Sequence, residues 1–158
     1  MRRVDFSASI KSPDAARVFD ILADYPRYAQ LVEDVHSVQL DRHPDGTGTS
    51  SWEVAFRGGV LQWTEENWFD RDGLQMGFRQ VEGDFSQFSG TWSIAPAQGG
   101  VTAQLTIEFD FGIPTLAKIV EPVCERVLIE MTRQILLGLF GEDVRLPDSS
   151  SGSTACVT

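Results

Sequence analysis

The chain has 158 residues, and its 42% hydrophobic and 23% charged residues are typical of a single globular domain that needs no metal or disulfide to hold its core. Its net charge is −10, Lys11 and Lys118 are the only lysines, and no basic cluster occurs. This charge argues against nucleic acid or an anionic membrane surface as a partner.

Alternating apolar residues predict a strand over residues 4–10, at the start of the chain. A short helix is predicted next, with Ser12 as its N-cap and Pro13 in its first position, ending near Ala23. Residues 24–26 interrupt this helix, and one further helical turn follows.

Six more strands follow in succession, separated by turns that contain glycine, proline and aspartate. They are predicted over residues 35–40, 50–56, 60–69, 74–81, 88–94 and 101–111. Because consecutive strands joined by short turns pair antiparallel, the sequence predicts a seven-stranded antiparallel sheet.

The periodicity changes to that of a helix over residues 114–139. The apolar positions of this helix are Leu116, Val120, Val123, Val127, Met131 and Ile135. Pro122 is expected to kink the helix or to start its main segment, and Gly141 to end it. The sequence therefore predicts one domain over residues 1–142 and a disordered polar tail over residues 143–158.

This order of elements favours the α+β class. Three segments carry a family resemblance: DYPRY after the first helix, VEGDFSQFSGTW in the late hairpin and FDFGIPTLAKIVEP before the last helix. Over residues 3–140 the chain resembles the START-like (SRPBCC) polyketide cyclase/dehydrase superfamily, and within it bacterial polyketide aromatase/cyclases and coenzyme Q-binding proteins. The resemblance implies a helix-grip fold, a seven-stranded antiparallel sheet curled around the C-terminal helix with a deep internal cavity.

In the aromatase/cyclases, that cavity receives a poly-β-ketone tethered to an acyl carrier protein. The resemblance implies a cofactor-independent polyketide cyclase of secondary-metabolite and antibiotic biosynthesis, which promotes intramolecular aldol closure and loss of water. Its partner would be a hydrophobic small molecule, either free or presented by an acyl carrier protein. The alternative is a carrier that binds a quinone, lipid or polyketide without changing it. The sequence does not decide between a monomer and a homodimer.

Neither the cysteines nor the apolar segments indicate a metal site, a disulfide framework or a membrane span. Cys124 and Cys156 form no CxxC motif and have no histidine cluster beside them, so we expect no metal site and no disulfide framework. The first residues lack a continuous apolar stretch, and no segment reaches the 18 apolar residues typical of a membrane span. We therefore expect a cytoplasmic protein that does not associate with membranes.

The substrate-binding candidates are residues, mostly apolar, that alternation or helical spacing turns toward the interior. They are Tyr28, Trp52, Phe56, Trp63, Phe78, Phe88, Trp92, Val127, Met131 and Gln134. Orientation of reactants can contribute roughly 7 to 11 kcal/mol to aldol closure, against about 3 to 5 kcal/mol from one acid or base, so cavity shape should matter most. The alternative is that the aromatic residues simply fill the core.

Two catalytic candidates lie on the strand over residues 60–69. If Trp63 faces inward, alternation turns Glu65 and Asn67 inward as well, and burial would raise the pKa of the carboxyl into a useful range. The alternatives are that this end of the strand opens to water, or that a bulge turns Glu66 and Trp68 inward instead.

For two further catalytic candidates, the periodic pattern leaves open whether the side chain faces the interior or the solvent. Arg79 could polarise a carbonyl, although alternation also favours an outward position and a surface salt bridge. Glu130 is four residues before Gln134 on the long helix, and the two lie either at the cavity floor or on a solvated flank. Tyr25 and Tyr28 either border the entrance or cover the core.

Overall fold

The computed structural model describes residues 1–147, with the backbone alone for residues 114–117, and contains one antiparallel sheet and three α-helices in that part of the chain. The strands are β1 (Arg2–Ile10), β2 (Val35–Arg42), β3 (Thr47–Phe56), β4 (Gly59–Asp70), β5 (Gln75–Gly83), β6 (Gln87–Ala97), β7 (Gly100–Asp110) and β8 (Val144–Arg145). The helices are α1 (Ala15–Leu22), α2 (Pro26–Leu31) and α3 (Pro114–Phe140), and a 3-10 turn over Gly141–Asp143 follows α3.

The strands lie in the order β2-β3-β4-β5-β6-β7-β1-β8. Each strand from β2 to β6 pairs with the next through a hairpin, and β1 pairs with β7 along its whole length, from Arg2 opposite Phe109 to Ile10 opposite Val101. The predicted α+β class, antiparallel sheet and long C-terminal helix are confirmed.

The sheet has eight strands in the described residues, where seven are predicted. The additional strand is β8, in which Val144 pairs with Ile10 and Arg145 with Ser9. The boundary predicted after residue 142 is therefore too early, because part of the predicted tail completes the sheet. The rest of that tail, residues 148–158, lies outside the described residues.

The first helix begins later than predicted, with Asp14 rather than Ser12 as its N-cap. One carboxylate oxygen of Asp14 accepts hydrogen bonds from the backbone N–H groups of Ala16 at 3.0 Å and Arg17 at 3.3 Å. Ser12 instead accepts a hydrogen bond from the N–H of Asp14 at 3.2 Å, which orients the capping residue.

The long helix α3 continues through Pro122. Its buried face differs from the predicted stripe, because it follows Cys124, Leu128, Thr132, Ile135 and Leu136. The buried face of α3 is thus displaced by about one residue from the predicted apolar positions along much of the helix. Val123, Val127 and Met131, which are among those positions, lie half-buried on one flank.

Candidate active site in an aromatic interior

Strand β4 places the main polar group of the interior. Its side chains alternate strictly, and the buried ones are Leu61, Trp63, Glu65, Asn67 and Phe69. A bulge does occur beside Glu65, but the additional residue is Val81 on β5, between the pairs Thr64–Glu82 and Glu65–Gln80. Strand β4 therefore keeps its register, and Glu65 faces inward while Glu66 faces outward.

The β3–β4 hairpin brings a serine to the same place. Arg57 and Gly58 have φ values of 51° and 79°, as a two-residue turn with positive φ at both positions requires. The resulting register pairs Ser50 with Glu65. Ser50 is 1% exposed, and its hydroxyl lies 2.7 Å from Oδ1 of Asn67 and 3.2 Å from Oε2 of Glu65.

The carboxylate of Glu65 is the centre of a buried hydrogen-bond network. Trp63 donates its indole N–H to Oε1 of Glu65 at 2.7 Å, and the amide of Asn67 donates to Oε2 at 2.6 Å. Trp52 donates its indole N–H to the Ser50 hydroxyl at 2.9 Å. These bonds offset the cost of placing a carboxylate in an apolar interior and hold it in one orientation.

The pKa of Glu65 is raised to about 7. The main cause is burial, which disfavours the charged form, and it outweighs the opposing hydrogen bonds from Trp63, Asn67 and Ser50. A carboxyl group with this pKa is present in both protonation states near neutral pH, so it can accept and return a proton.

Glu65 borders a cavity of about 50 Å³ between the sheet and α3. Typical small-molecule pockets have volumes of roughly 300 to 1,000 Å³, so the cavity is much smaller than the deep one that the family resemblance implies. The wall residues themselves fill the space. Trp52 and Trp63 stack with ring planes 4° apart, and Phe88 lies 5.0 Å from Trp63 between ring centroids.

A larger groove lies on the other side of Met131. It has a volume of about 590 Å³ and runs between the β3–β4 turn and one flank of α3. Among the described residues, Met131 alone borders both spaces. Met131 therefore lies between the groove and the cavity, and methionine is an unbranched residue that adopts many rotamers.

Most of the predicted binding residues lie at one of these two spaces. The cavity is bordered by Tyr28, Trp52, Trp63, Glu65, Phe78, Phe88, Trp92 and Met131. Phe56 and Val127 instead border the groove, because they lie at the end of β3 and on the α3 flank that faces it. The catalytic candidate Glu130 also borders the groove, and its side chain is 60% exposed, so it lies on the solvated flank and not at the cavity floor. Asn67 lies behind Glu65 and contacts it directly.

The predicted positions of Arg79 and Gln134 in the site are wrong. Arg79 lies on the outer face of the sheet, as alternation along β5 requires, and donates to Oε2 of Glu66 at 2.8 Å. Gln134 lies on the side of α3, where it donates to Glu130 at 3.3 Å, and it borders neither the cavity nor the groove.

Thr132 and Ser50 are absent from the predicted site, and Tyr25 is predicted only to border the entrance or to cover the core. Tyr25, between α1 and α2, and Thr132, on α3, border the cavity, while Ser50 binds Glu65 and Asn67. The position of Ser50 could be predicted from the sequence, because a turn at residues 57 and 58 fixes a strand register in which Ser50 pairs with Glu65. Tyr25 lies at a break where neither period applies, so no periodic pattern decides between the two positions predicted for it, and the structure places it at the cavity.

Within residues 1–147, no group of three His, Cys, Asp or Glu side chains is arranged to hold a metal ion. In the same part of the chain, no helix has the length and apolar character that crossing a bilayer requires.

Comparison with known proteins supplies a family for this fold. The family model described as "Polyketide cyclase / dehydrase and lipid transport" matches residues 13–135, and no curated protein matches the chain. Among solved structures, the protein TTHA0849 of Thermus thermophilus is 25% identical, with a TM-score of 0.77, 87% of this chain covered and 93% of that chain.

Two further structures share the fold at lower identity. The Zhui aromatase/cyclase of Streptomyces sp. R1128 is 20% identical, with a TM-score of 0.73 and coverage of 85% of this chain and 91% of that one. A START superfamily protein of Mycobacterium smegmatis is 18% identical, with a TM-score of 0.72 and coverage of 89% and 97%. The chain belongs to the polyketide cyclase/dehydrase and lipid transport family.

Proposed function

We propose that this protein is a cofactor-independent cyclase that closes a ring in a hydrophobic poly-oxo compound by intramolecular aldol condensation and dehydration. The observation that carries the proposal is the buried carboxyl of Glu65, which has a pKa of about 7 and borders an otherwise aromatic cavity. A structural role alone would not need an ionisable group at this position, because burial of a carboxyl costs free energy.

Glu65 acts as the base. Its carboxylate removes a proton from a methylene group between two carbonyls, and the C–H electron pair becomes an enolate. The enolate carbon attacks another carbonyl of the same molecule, which forms a C–C bond and converts that C=O into an alkoxide. The alkoxide takes the proton back from the Glu65 carboxyl, and later loss of an α-proton and the hydroxyl group as water gives a C=C bond.

The other residues of the network position the base and the substrate. Trp63 and Asn67 each hold one carboxylate oxygen of Glu65, so the lone pairs that remain have a fixed direction. Trp52, Phe88 and the other aromatic side chains that border the cavity supply the flat walls that fold a linear substrate toward ring closure.

The cavity must expand to admit such a substrate. At about 50 Å³ it holds only a few atoms, whereas the groove beyond Met131 has about 590 Å³. Rotation of the Met131 side chain joins the two spaces. The substrate then enters past Phe56 and Val127 in the groove, with Glu65 at the inner end of the combined space.

Four arginines away from the groove contribute little to docking of an acidic carrier protein, whereas Arg57 and Arg126 border the groove itself. Arg2, Arg3, Arg71 and Arg79 are each paired with a carboxylate of this chain, at 2.7 to 3.1 Å. Surface arginines neutralised in this way present little net positive potential to a partner.

One observation favours the second candidate function, a carrier of a hydrophobic molecule. Glu65 lies within hydrogen-bond distance of three protein donors, so its carboxylate is well satisfied without a substrate. A carboxyl held in this way can serve to keep the interior rigid around a ligand that leaves unchanged.

A rate measurement separates the two functions. Purified protein is incubated with a synthetic linear tri-oxo thioester, and the cyclised product is followed by liquid chromatography and mass spectrometry against a protein-free control. We expect wild-type protein to accelerate cyclisation, with a rate that rises through about pH 7 as Glu65 ionises. Glu65→Gln should lower the rate about 10²- to 10⁴-fold, toward the uncatalysed value.

The matched control is Glu66→Gln, which changes the adjacent carboxylate on the outer face and should leave the rate unchanged. An unchanged rate in Glu65→Gln would refute the role of the base. Binding of the thioester in native mass spectrometry without acceleration by the wild-type protein would refute the cyclase and support the carrier.

A further inference from the structure

The hydroxyl of Tyr25 is a buried polar group without a protein partner. Tyr25 is 2% exposed, and its hydroxyl makes no hydrogen bond to any group within residues 1–147. Buried tyrosine hydroxyls are ordinarily hydrogen-bonded, and leaving one unpaired costs stability. Buried polar groups without a partner are uncommon in folded proteins, and functional sites are a common place for them.

The neighbouring Tyr28 shows the ordinary arrangement. Its ring lies 5.6 Å from that of Tyr25 between centroids, and it borders the same cavity. Its hydroxyl donates to the backbone carbonyl of Leu22 at 2.5 Å, which closes α1 against α2. The two tyrosines therefore share chain segment, burial and cavity but differ in whether the hydroxyl is used by the protein.

Tyr25 and Glu65 border the same cavity. Burial chiefly raises the pKa of Tyr25, and the charge of Glu65 raises it further, while Arg42 opposes the shift. The charge of Glu65 raises the pKa of Tyr28 as well, so the carboxyl influences both tyrosines that border the cavity. The ring itself is held by Trp52 at 5.5 Å and Phe69 at 5.7 Å, so its position is fixed.

We propose that the Tyr25 hydroxyl is a hydrogen-bond donor kept for an oxygen atom of the ligand, so that the cavity selects a ketone over a hydrocarbon of the same shape. This rests on the proposed function in one respect, since it requires that a ligand enters the cavity. It specifies the class of ligand, one that presents a carbonyl oxygen beside Glu65. In the proposed aldol step, Tyr25 donates to the carbonyl that becomes the enolate or the alkoxide and stabilises the negative charge that develops there.

The first test needs no ligand. Tyr25→Phe removes an unpaired hydroxyl, so its thermal unfolding temperature should equal or exceed that of the wild-type protein. Tyr28→Phe removes a hydroxyl that is bonded to Leu22, so its unfolding temperature should fall. A fall in Tyr25→Phe as large as that in Tyr28→Phe would mean that the protein itself uses the Tyr25 hydroxyl, and would overturn the proposal.

The second test uses two probes that differ in one group. Acetophenone and α-methylstyrene have nearly the same shape, but only the ketone accepts a hydrogen bond. Their dissociation constants can be measured by quenching of tryptophan fluorescence, because Trp52, Trp63 and Trp92 border the cavity. We expect wild-type protein to prefer acetophenone about tenfold, and Tyr25→Phe to bind the two probes equally.

The outcomes separate this proposal from the proposed function. Equal binding of both probes by the wild-type protein, or a ketone preference that persists in Tyr25→Phe, would overturn the role of Tyr25 and leave ligand binding intact. The same titrations are repeated with Met131→Ala, in which the side chain between the groove and the cavity is shorter. They test whether Met131 limits entry of the probes into the cavity. Failure of both probes to bind either protein would overturn the ligand cavity, and the two proposals would fall together.

Discussion

Glu65 and Glu66 are adjacent carboxylates on β4, yet the two faces of the sheet give them different chemistry. Glu65 is 2% exposed, accepts hydrogen bonds from two side chains of its own strand and has a pKa of about 7. Glu66 is exposed, and its partner is the guanidinium of Arg79 at 2.8 Å. The residue type is the same, so the difference comes entirely from which side of the sheet the alternation of β4 assigns to each.

The same contrast holds for the tryptophans of this strand. Trp63 is 5% exposed and belongs to the cluster of rings around the cavity, whereas Trp68 is 43% exposed and lies flat against Gly77 on the outer face. A side chain at residue 77 would overlap the indole of Trp68, so glycine there is required by close approach rather than by backbone conformation. The inner face of β4 thus surrounds the ionisable side chain of Glu65. Its outer face carries exposed side chains that each contact a residue of β5, Glu66 with Arg79 and Trp68 with Gly77.

The largest expected effect is on stability, from removal of the inner ring. Trp63→Ala should lower the free energy of unfolding by about 3 to 5 kcal/mol, because it opens a cavity and leaves Glu65 without one of its donors. Trp68→Ala should cost about 1 kcal/mol, since nearly half of that side chain is already in water. Denaturation with guanidinium, followed by circular dichroism, gives both values, and equal costs would contradict the contrast between the faces.

The next effect is the pH dependence of stability. The folded-state pKa of Glu65, about 7, lies above its ordinary value of 4.5. The folded protein therefore binds the proton more tightly than the unfolded chain does, and the stability that Glu65 contributes is complete below about pH 4.5 and lost as the pH rises through 7. At about 1.4 kcal/mol per pKa unit, wild-type protein should lose roughly 2 to 3 kcal/mol between pH 5 and pH 8.

Matched glutamine variants isolate this loss. Glu65→Gln should remove most of the pH dependence, because an amide does not ionise, and Glu66→Gln should leave it in place. The measurement is the free energy of unfolding in urea at several pH values between 5 and 8. A pH profile of Glu65→Gln that follows the wild-type profile would assign the dependence to other groups.

The contrast between the faces could be predicted from the sequence, because a strand has a period of two and Trp63 identifies the inner face. The polar pair of Glu65 and Asn67 follows from that periodicity alone. The buried face of α3 could not be predicted in the same way. Its apolar residues extend around a wide arc that includes both Val127 and Leu128, so the helical period leaves the orientation open by about one residue.

The size of the cavity and the role of Tyr25 are beyond what a sequence pattern can give. Cavity volume depends on how rings from several elements interlock, and the stack of Trp52 on Trp63 fills space that the pattern would leave open. Whether a hydroxyl is bonded depends on which carbonyl lies within hydrogen-bond distance, and Tyr25 and Tyr28 differ in this respect although they are close neighbours in the sequence.

The smallest expected effect concerns the outer pair of Glu66 and Arg79. Both side chains are more than half exposed, so water screens their attraction and ordering them costs side-chain entropy. A double-mutant cycle with Glu66→Gln and Arg79→Gln should give a coupling free energy below about 1 kcal/mol that disappears near 1 M salt, where charges are screened over about 3 Å. The pH-dependent contribution of Glu65 should persist at the same salt concentration, because it arises mainly from burial in the interior. A large coupling that resists salt would mean that the outer pair is shielded from water, and the two faces of β4 would then not differ in the way that their exposure indicates.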